Sequence, residues 1–84
     1  MYLIYGKDNC TYCVQSEELL KSKGQSYKSF KIGEDITMED FVLLFSERDL
    51  PRPRTAPQVF LQDENGVQYV GGFTQLKEML DKTT

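Results

Sequence analysis

Cys10 and Cys13, in the run Asn9-Cys10-Thr11-Tyr12-Cys13, are the only cysteines of an 84-residue chain that has no histidine. A disulfide wants Cα atoms roughly 4.4–6.8 Å apart, and residues i and i+3 of a helix share a face at about 5 Å. The pair follows the short apolar run Tyr2-Leu3-Ile4-Tyr5 and opens a helical pattern. It therefore sits where a bond between the sulfurs can form and break without moving the backbone. At a helix N-terminus, unpaired N–H groups and the helix dipole favour a thiolate over a thiol, and the thiolate is the reactive form. Lys7 adds positive charge nearby. Cys13, one turn further in, is expected to be more buried and less acidic. The spacing thus suggests a division of labour in which Cys10 attacks and Cys13 resolves.

Other readings of the pair stay open on the residues alone. Two cysteines supply half of a four-ligand zinc site. Cys13 as a core thiol with Cys10 incidental is a second possibility, and a regulatory disulfide on a non-enzymatic domain is a third.

The elements around the pair follow from periodicity. Tyr2–Tyr5 reads as a strand, and Gly6 to Asn9 as a turn. Residues 11–23 read as a helix, with lysines late and Gly24 at its exit. Tyr27-Lys28-Ser29-Phe30-Lys31-Ile32 alternates like a half-buried strand. Thr37-Met38-Glu39-Asp40 is a helix start with an acid three residues after a hydroxyl cap. Met38, Phe41, Val42, Leu44 and Phe45 then repeat at helical spacing up to Arg48. Pro51-Arg52-Pro53-Arg54 is a loop. Gln58–Leu61 and Val67–Val70 form a hairpin about Asn65-Gly66. Phe73, Leu76, Met79 and Leu80 make the apolar side of a closing helix. The order β-α-β-α-β-β-α, without repeat or linker, predicts a single α/β domain over 1–84, a small sheet with helices on its faces.

Composition narrows the function classes. Apolar residues are 39% and charged residues 27%, a globular balance in which the apolar core carries the fold, because two cysteines allow only one bridge. No stretch reaches the roughly 18 apolar residues of a membrane span, and no secretory signal is visible, so the expectation is a cytoplasmic protein without membrane contact. The net charge of −3 argues against general nucleic-acid binding.

Three segments carry a family resemblance: Lys7-Asp8-Asn9-Cys10-Thr11-Tyr12-Cys13, Thr55-Ala56-Pro57-Gln58 and Gly71-Gly72-Phe73-Thr74. Together, in this order and spacing, they resemble the glutaredoxins, most of all the short dithiol glutaredoxins of bacteria and phages. The resemblance implies a thioredoxin fold with a four-stranded mixed sheet, helices on both faces and Pro57 in a cis peptide bond. It implies a glutathione-dependent thiol–disulfide oxidoreductase that reduces protein disulfides and glutathione mixed disulfides in cell redox homeostasis and electron transport. Glutathione would be the reducing co-substrate, with no tightly bound cofactor and no metal. Disulfide-containing proteins, ribonucleotide reductase among them by family analogy, would be partners of a monomer. Carried over residue by residue, the Ala56 backbone beside Pro57 would hydrogen-bond the cysteinyl part of glutathione. Gly72, Phe73 and Thr74 would hold its γ-glutamyl end, Tyr12 would flank it, and Lys7 and Arg54 would pair with its glycyl carboxylate. Thr74 stands where most relatives have an acid, and Thr11 where proline is common. Two alternatives are a redoxin reduced by thioredoxin reductase, whose usual Trp-Ser-Gly-Phe is missing here, and a module binding glutathione or an iron–sulfur cluster.

Overall fold

A computed structural model describes residues 1–82; the last two residues of the single-domain reading, 83 and 84, lie outside the described residues. The elements are β1 (Tyr2–Gly6), α1 (Thr11–Ser22), β2 (Tyr27–Lys31), α2 (Met38–Ser46), β3 (Gln58–Asp63), β4 (Gly66–Gly71) and α3 (Phe73–Lys82). The four strands lie in the order β2-β1-β3-β4. β1 runs parallel to β2, as a crossover through a helix requires, and antiparallel to β3, which pairs antiparallel with β4. This is the four-stranded mixed sheet of the thioredoxin fold.

Strand side chains alternate between faces, so each strand feeds two cores. On one face Tyr2, Ile4 and Val59 pack with Leu20 of α1 and with Leu76 and Leu80 of α3. On the other, Tyr5 and Phe60 pack with Phe41 and Phe45 of α2. Helices therefore cover both faces. The second core is aromatic: the Phe60 ring lies 5.4 Å from Phe45 and 5.8 Å from Tyr5, centroid to centroid, in edge-to-face contacts.

Local signals set the ends. Gly24 takes the left-handed conformation (φ 66°) just past α1, and the Gln25 N–H returns to the Leu20 carbonyl at 2.9 Å. Thr37 caps α2, its Oγ1 accepting the Asp40 N–H at 3.1 Å. Boundaries differ modestly from expectation. β2 stops at Lys31, because Gly33 (φ 98°) turns the chain and Ile32 bridges to Ile36 instead. β2 is also more exposed than its alternation suggests, since it is an edge strand with one neighbour. α2 ends at Ser46 rather than Arg48, as Asp49 adopts φ 56°. No helix among the described residues is long and apolar enough to cross a membrane.

Candidate active site

β1 leads straight into the site. The chain leaves the sheet at Gly6, turns through Lys7, Asp8 and Asn9 (φ 55°), and enters α1 with Cys10 as its N-cap. Asp8 is tied to the end of β2 by an ion pair with Lys31 at 2.8 Å. The hydrogen bond to Asp8, its charge and that of Glu34 hold the Lys31 ammonium above its ordinary pKa. Cys10 and Cys13 form a disulfide with Cα atoms 5.2 Å apart. The Cys13 N–H donates to Cys10 Sγ at 3.2 Å, so the first sulfur is itself the cap of the helix. An anionic sulfur there gains a charge-assisted bond and the dipole of α1, whereas a neutral thiol gains little. Cys13 is 8% exposed, on the buried stripe of α1 with Ser16 and Leu20. The expected asymmetry is present: a more open sulfur at the helix end, a covered one a turn inside.

Beside the pair lies a groove of about 360 Å³, lined by Tyr12, Thr55, Ala56, Pro57, Gly72, Phe73, Thr74 and Gln75. The Ala56–Pro57 bond is cis, as expected. The Tyr12 and Phe73 rings approach to 5.6 Å. A register shift opposite Val59 and Phe60 and a positive φ of 125° at Gly71 turn β4 into α3 at this point. A Cβ at Gly71 would fall 2.8 Å from Gln75 Cβ, so only glycine permits the turn. Intrahelical bonding starts with the Leu76 N–H to the Gly72 carbonyl at 3.0 Å. The N–H groups of Phe73, Thr74 and Gln75, at the first turn of the helix, precede its first intrahelical donor, and amides so placed favour an anion.

Six of the eight predicted binding residues thus meet in one groove: Tyr12, Ala56, Pro57, Gly72, Phe73 and Thr74. The other two stand apart. Lys7 lines two other hollows together with Cys13 and Glu17, and Arg54 lines a further one with Arg52 and Tyr69. Three further residues matter that periodicity did not single out. Gly6 backs Cys13: a Cβ there would sit 2.7 Å from Cys13 Sγ. A glycine closing an apolar strand is the only hint of such a close approach. Gln75 Oε1 accepts the Gly72 N–H at 2.9 Å, a reach-back legible from a glutamine three residues past the cap. Gln58, 5% exposed, donates to the Thr55 carbonyl at 2.9 Å and accepts from the Tyr69 hydroxyl, which braces the Thr55-Ala56-Pro57 turn. Among the described residues no cluster of three or more His, Cys, Asp or Glu is placed to hold a metal ion.

Known proteins share this fold. A hybrid peroxiredoxin of Haemophilus influenzae is 31% identical over 75 residues; these are 89% of this chain but only 27% of that protein, so the chain spans about a quarter of that relative. The structure of reduced Escherichia coli glutaredoxin superposes with a TM-score of 0.70 at 26% identity, covering 96% of this chain and 93% of that one. A buckwheat glutaredoxin–glutathione complex superposes with the same TM-score of 0.70 at 19% identity, covering 98% and 69%, and speaks to the fold alone. The glutaredoxin family model matches residues 3–67, which hold both cysteines, the groove's cis proline, β2 and β3 in full and all but the first residue of β1. Family and cysteine pair together support thiol–disulfide oxidoreductase chemistry. By fold, by site and by this match, the chain belongs to the glutaredoxin family.

Proposed function

We propose that this protein is a glutathione-dependent thiol–disulfide oxidoreductase acting on protein disulfides and glutathione mixed disulfides. The observation that carries the reading is Cys10 Sγ capping α1 through the Cys13 N–H, beside a groove that ends at the first-turn amides of α3. The Cys10 thiolate attacks one sulfur of the substrate disulfide. A Cys10–substrate bond forms, the substrate S–S bond breaks, and one substrate thiolate leaves. Cys13, after losing its proton, attacks Cys10 Sγ, releases the second substrate thiolate and closes the Cys10–Cys13 disulfide. Two glutathione thiolates reverse the oxidation in turn, the first forming a mixed disulfide at Cys10, the second releasing oxidised glutathione.

In this reading the γ-glutamyl carboxylate meets the N–H groups opening α3, and the cysteinyl backbone pairs with Ala56. Tyr12 and Phe73 wall the groove. Lys7 and Arg54, which line other hollows nearby, are the cations for the glycyl carboxylate. The setting would be cytoplasmic and the working form a monomer, with disulfide-bearing proteins such as ribonucleotide reductase as recipients.

Turnover of a glutathionylated small thiol, with glutathione and its reductase, tests the reading in wild type, Cys13→Ser and Cys10→Ser. Cys13→Ser keeps this activity and loses protein-disulfide reduction, because only the attacking sulfur is needed for the small substrate. Cys10→Ser loses both. Equal behaviour of the two variants contradicts the assignment of roles, and turnover only with thioredoxin reductase contradicts the role of glutathione.

A further inference from the structure

The loop Pro51–Arg54 lines a second hollow, of about 350 Å³, from which the chemistry above draws only Arg54. Its floor is aromatic: Tyr69 is 39% exposed, and its ring packs 5.4 Å from Phe45 and 5.3 Å from Phe60. Its wall is wired to the groove, since the Tyr69 hydroxyl donates to Gln58, and Gln58 donates to the Thr55 carbonyl at 2.9 Å and Thr55 Oγ1 at 3.2 Å. The turn from Arg54 to Gln58 thus separates the groove from this surface, with Thr55, Ala56 and Pro57 on one side and Arg54 and Gln58 on the other.

The charges are distributed unevenly. The chain has only three arginines, Arg48, Arg52 and Arg54, against a net charge of −3. Arg48 is engaged, donating to the Leu44 carbonyl at 2.9 Å and lying over the Phe60 ring. Arg52 and Arg54 are exposed and make no ion pair among the described residues. The acids nearest in sequence, Glu47 and Asp49, do not line the hollow. Pro51 and Pro53 restrict the loop that carries the arginines, so less backbone freedom is lost when a partner is bound. Two guanidinium groups over an exposed aromatic floor match a carboxylate next to an apolar side chain.

We propose that this hollow is a docking site for disulfide-bearing proteins, and that it takes an acidic segment flanking the reactive cysteine. The carboxylate pairs with Arg52, and a neighbouring apolar side chain rests on Tyr69 and the prolines. A protein substrate, unlike free glutathione, carries chain beyond the groove to make these contacts. The proposal rests on the redox reading for its purpose, but the docking is measurable without it.

Two cysteine-free peptides, identical except for Asp-Leu or Lys-Leu at the flank, are titrated into isotopically labelled protein and followed by NMR. The acidic peptide shifts the amides of residues 52, 54 and 69, the basic peptide does not, and about 0.5 M salt abolishes the shifts by screening. The same two sequences, each now carrying one glutathionylated cysteine beside the flank, are then turned over by wild type and Arg52→Glu. Arg52→Glu raises KM for the acidic peptide about five- to tenfold, the scale of a well-formed surface pair replaced by repulsion. It leaves kcat and the turnover of a glutathionylated small thiol unchanged, and Arg52→Lys recovers part of the preference. Equal effects on both peptides overturn the proposal, as do absent NMR shifts. A concentration-dependent dimer that vanishes in Arg52→Glu also overturns it, by making a second copy the occupant. Loss of small-thiol turnover in wild type contradicts the redox reading alone.

Discussion

Gly6→Ala isolates how closely β1 approaches the resolving sulfur. Gly6 has no positive φ, so alanine meets no backbone strain, and the effect is one of space. The new Cβ would lie 2.7 Å from Cys13 Sγ, about 0.7 Å short of ordinary contact, and 3.2 Å from Cys13 Cβ. In the oxidised protein Sγ is tethered to Cys10 and cannot swing away; in the reduced protein the thiol changes rotamer and escapes. Overpacking of this kind costs about 1–3 kcal/mol, and we place about 1.5 kcal/mol on the oxidised form alone. With 30 mV equal to about 1.4 kcal/mol for a two-electron couple, the disulfide becomes roughly 30 mV more oxidising. The assay equilibrates the protein in glutathione redox buffers, alkylates free thiols and reads the disulfide fraction by mass. A Gly6→Ala potential equal to that of wild type would refute the argument. So would an equal loss of stability in a Cys13→Ala background, where the contacted sulfur is gone.

Other outcomes follow from the same geometry. Thr37→Ala removes the acceptor of the Asp40 N–H and lowers stability by about 1 kcal/mol, read as a shift in the urea midpoint, with thiol turnover unchanged. Burial raises the hydroxyl pKa of Tyr2, Tyr5 and Tyr69 above the ordinary 10.0, and the hydrogen bond to Asp8, with the charges of Asp8 and Glu34, raises the ammonium pKa of Lys31 above 10.5. The folded state thus keeps protons that the unfolded chain has released; this stability is complete below about pH 10 and declines as the pH climbs through the raised values. Urea midpoints across pH 9 to 11 check the slope, which Tyr69→Phe makes shallower.

Much of this molecule is legible in the sequence because its signals are local. Thr37 and Gly24 announce helix ends by their own chemistry, and Asn65-Gly66 announces the hairpin. Cys10 and Cys13 report both their spacing and their place at a helix start. What stayed hidden is set by distant approach. That β1 lies between β2 and β3, so that Ile4 and Tyr5 feed opposite cores, depends on pairing across the chain. Gly6 matters through a sulfur seven residues away, and Gln58 through Tyr69 on the next strand. Six of the residues singled out by the family resemblance line one groove. The resemblance says nothing of which way Arg54 points, because a long charged side chain on a loop follows its local packing, here toward Tyr69.

Everything in the account turns on Cys10 being the ionised partner of the pair. The direct measurement is site-resolved alkylation of the reduced protein across pH, with each cysteine quantified separately by mass spectrometry. The prediction is that Cys10 reacts with a midpoint below the value of about 8.5 for free cysteine, while Cys13 remains protected at neutral pH. If both sulfurs titrate together, or Cys13 reacts first, the helix cap does not select the nucleophile and the account is wrong.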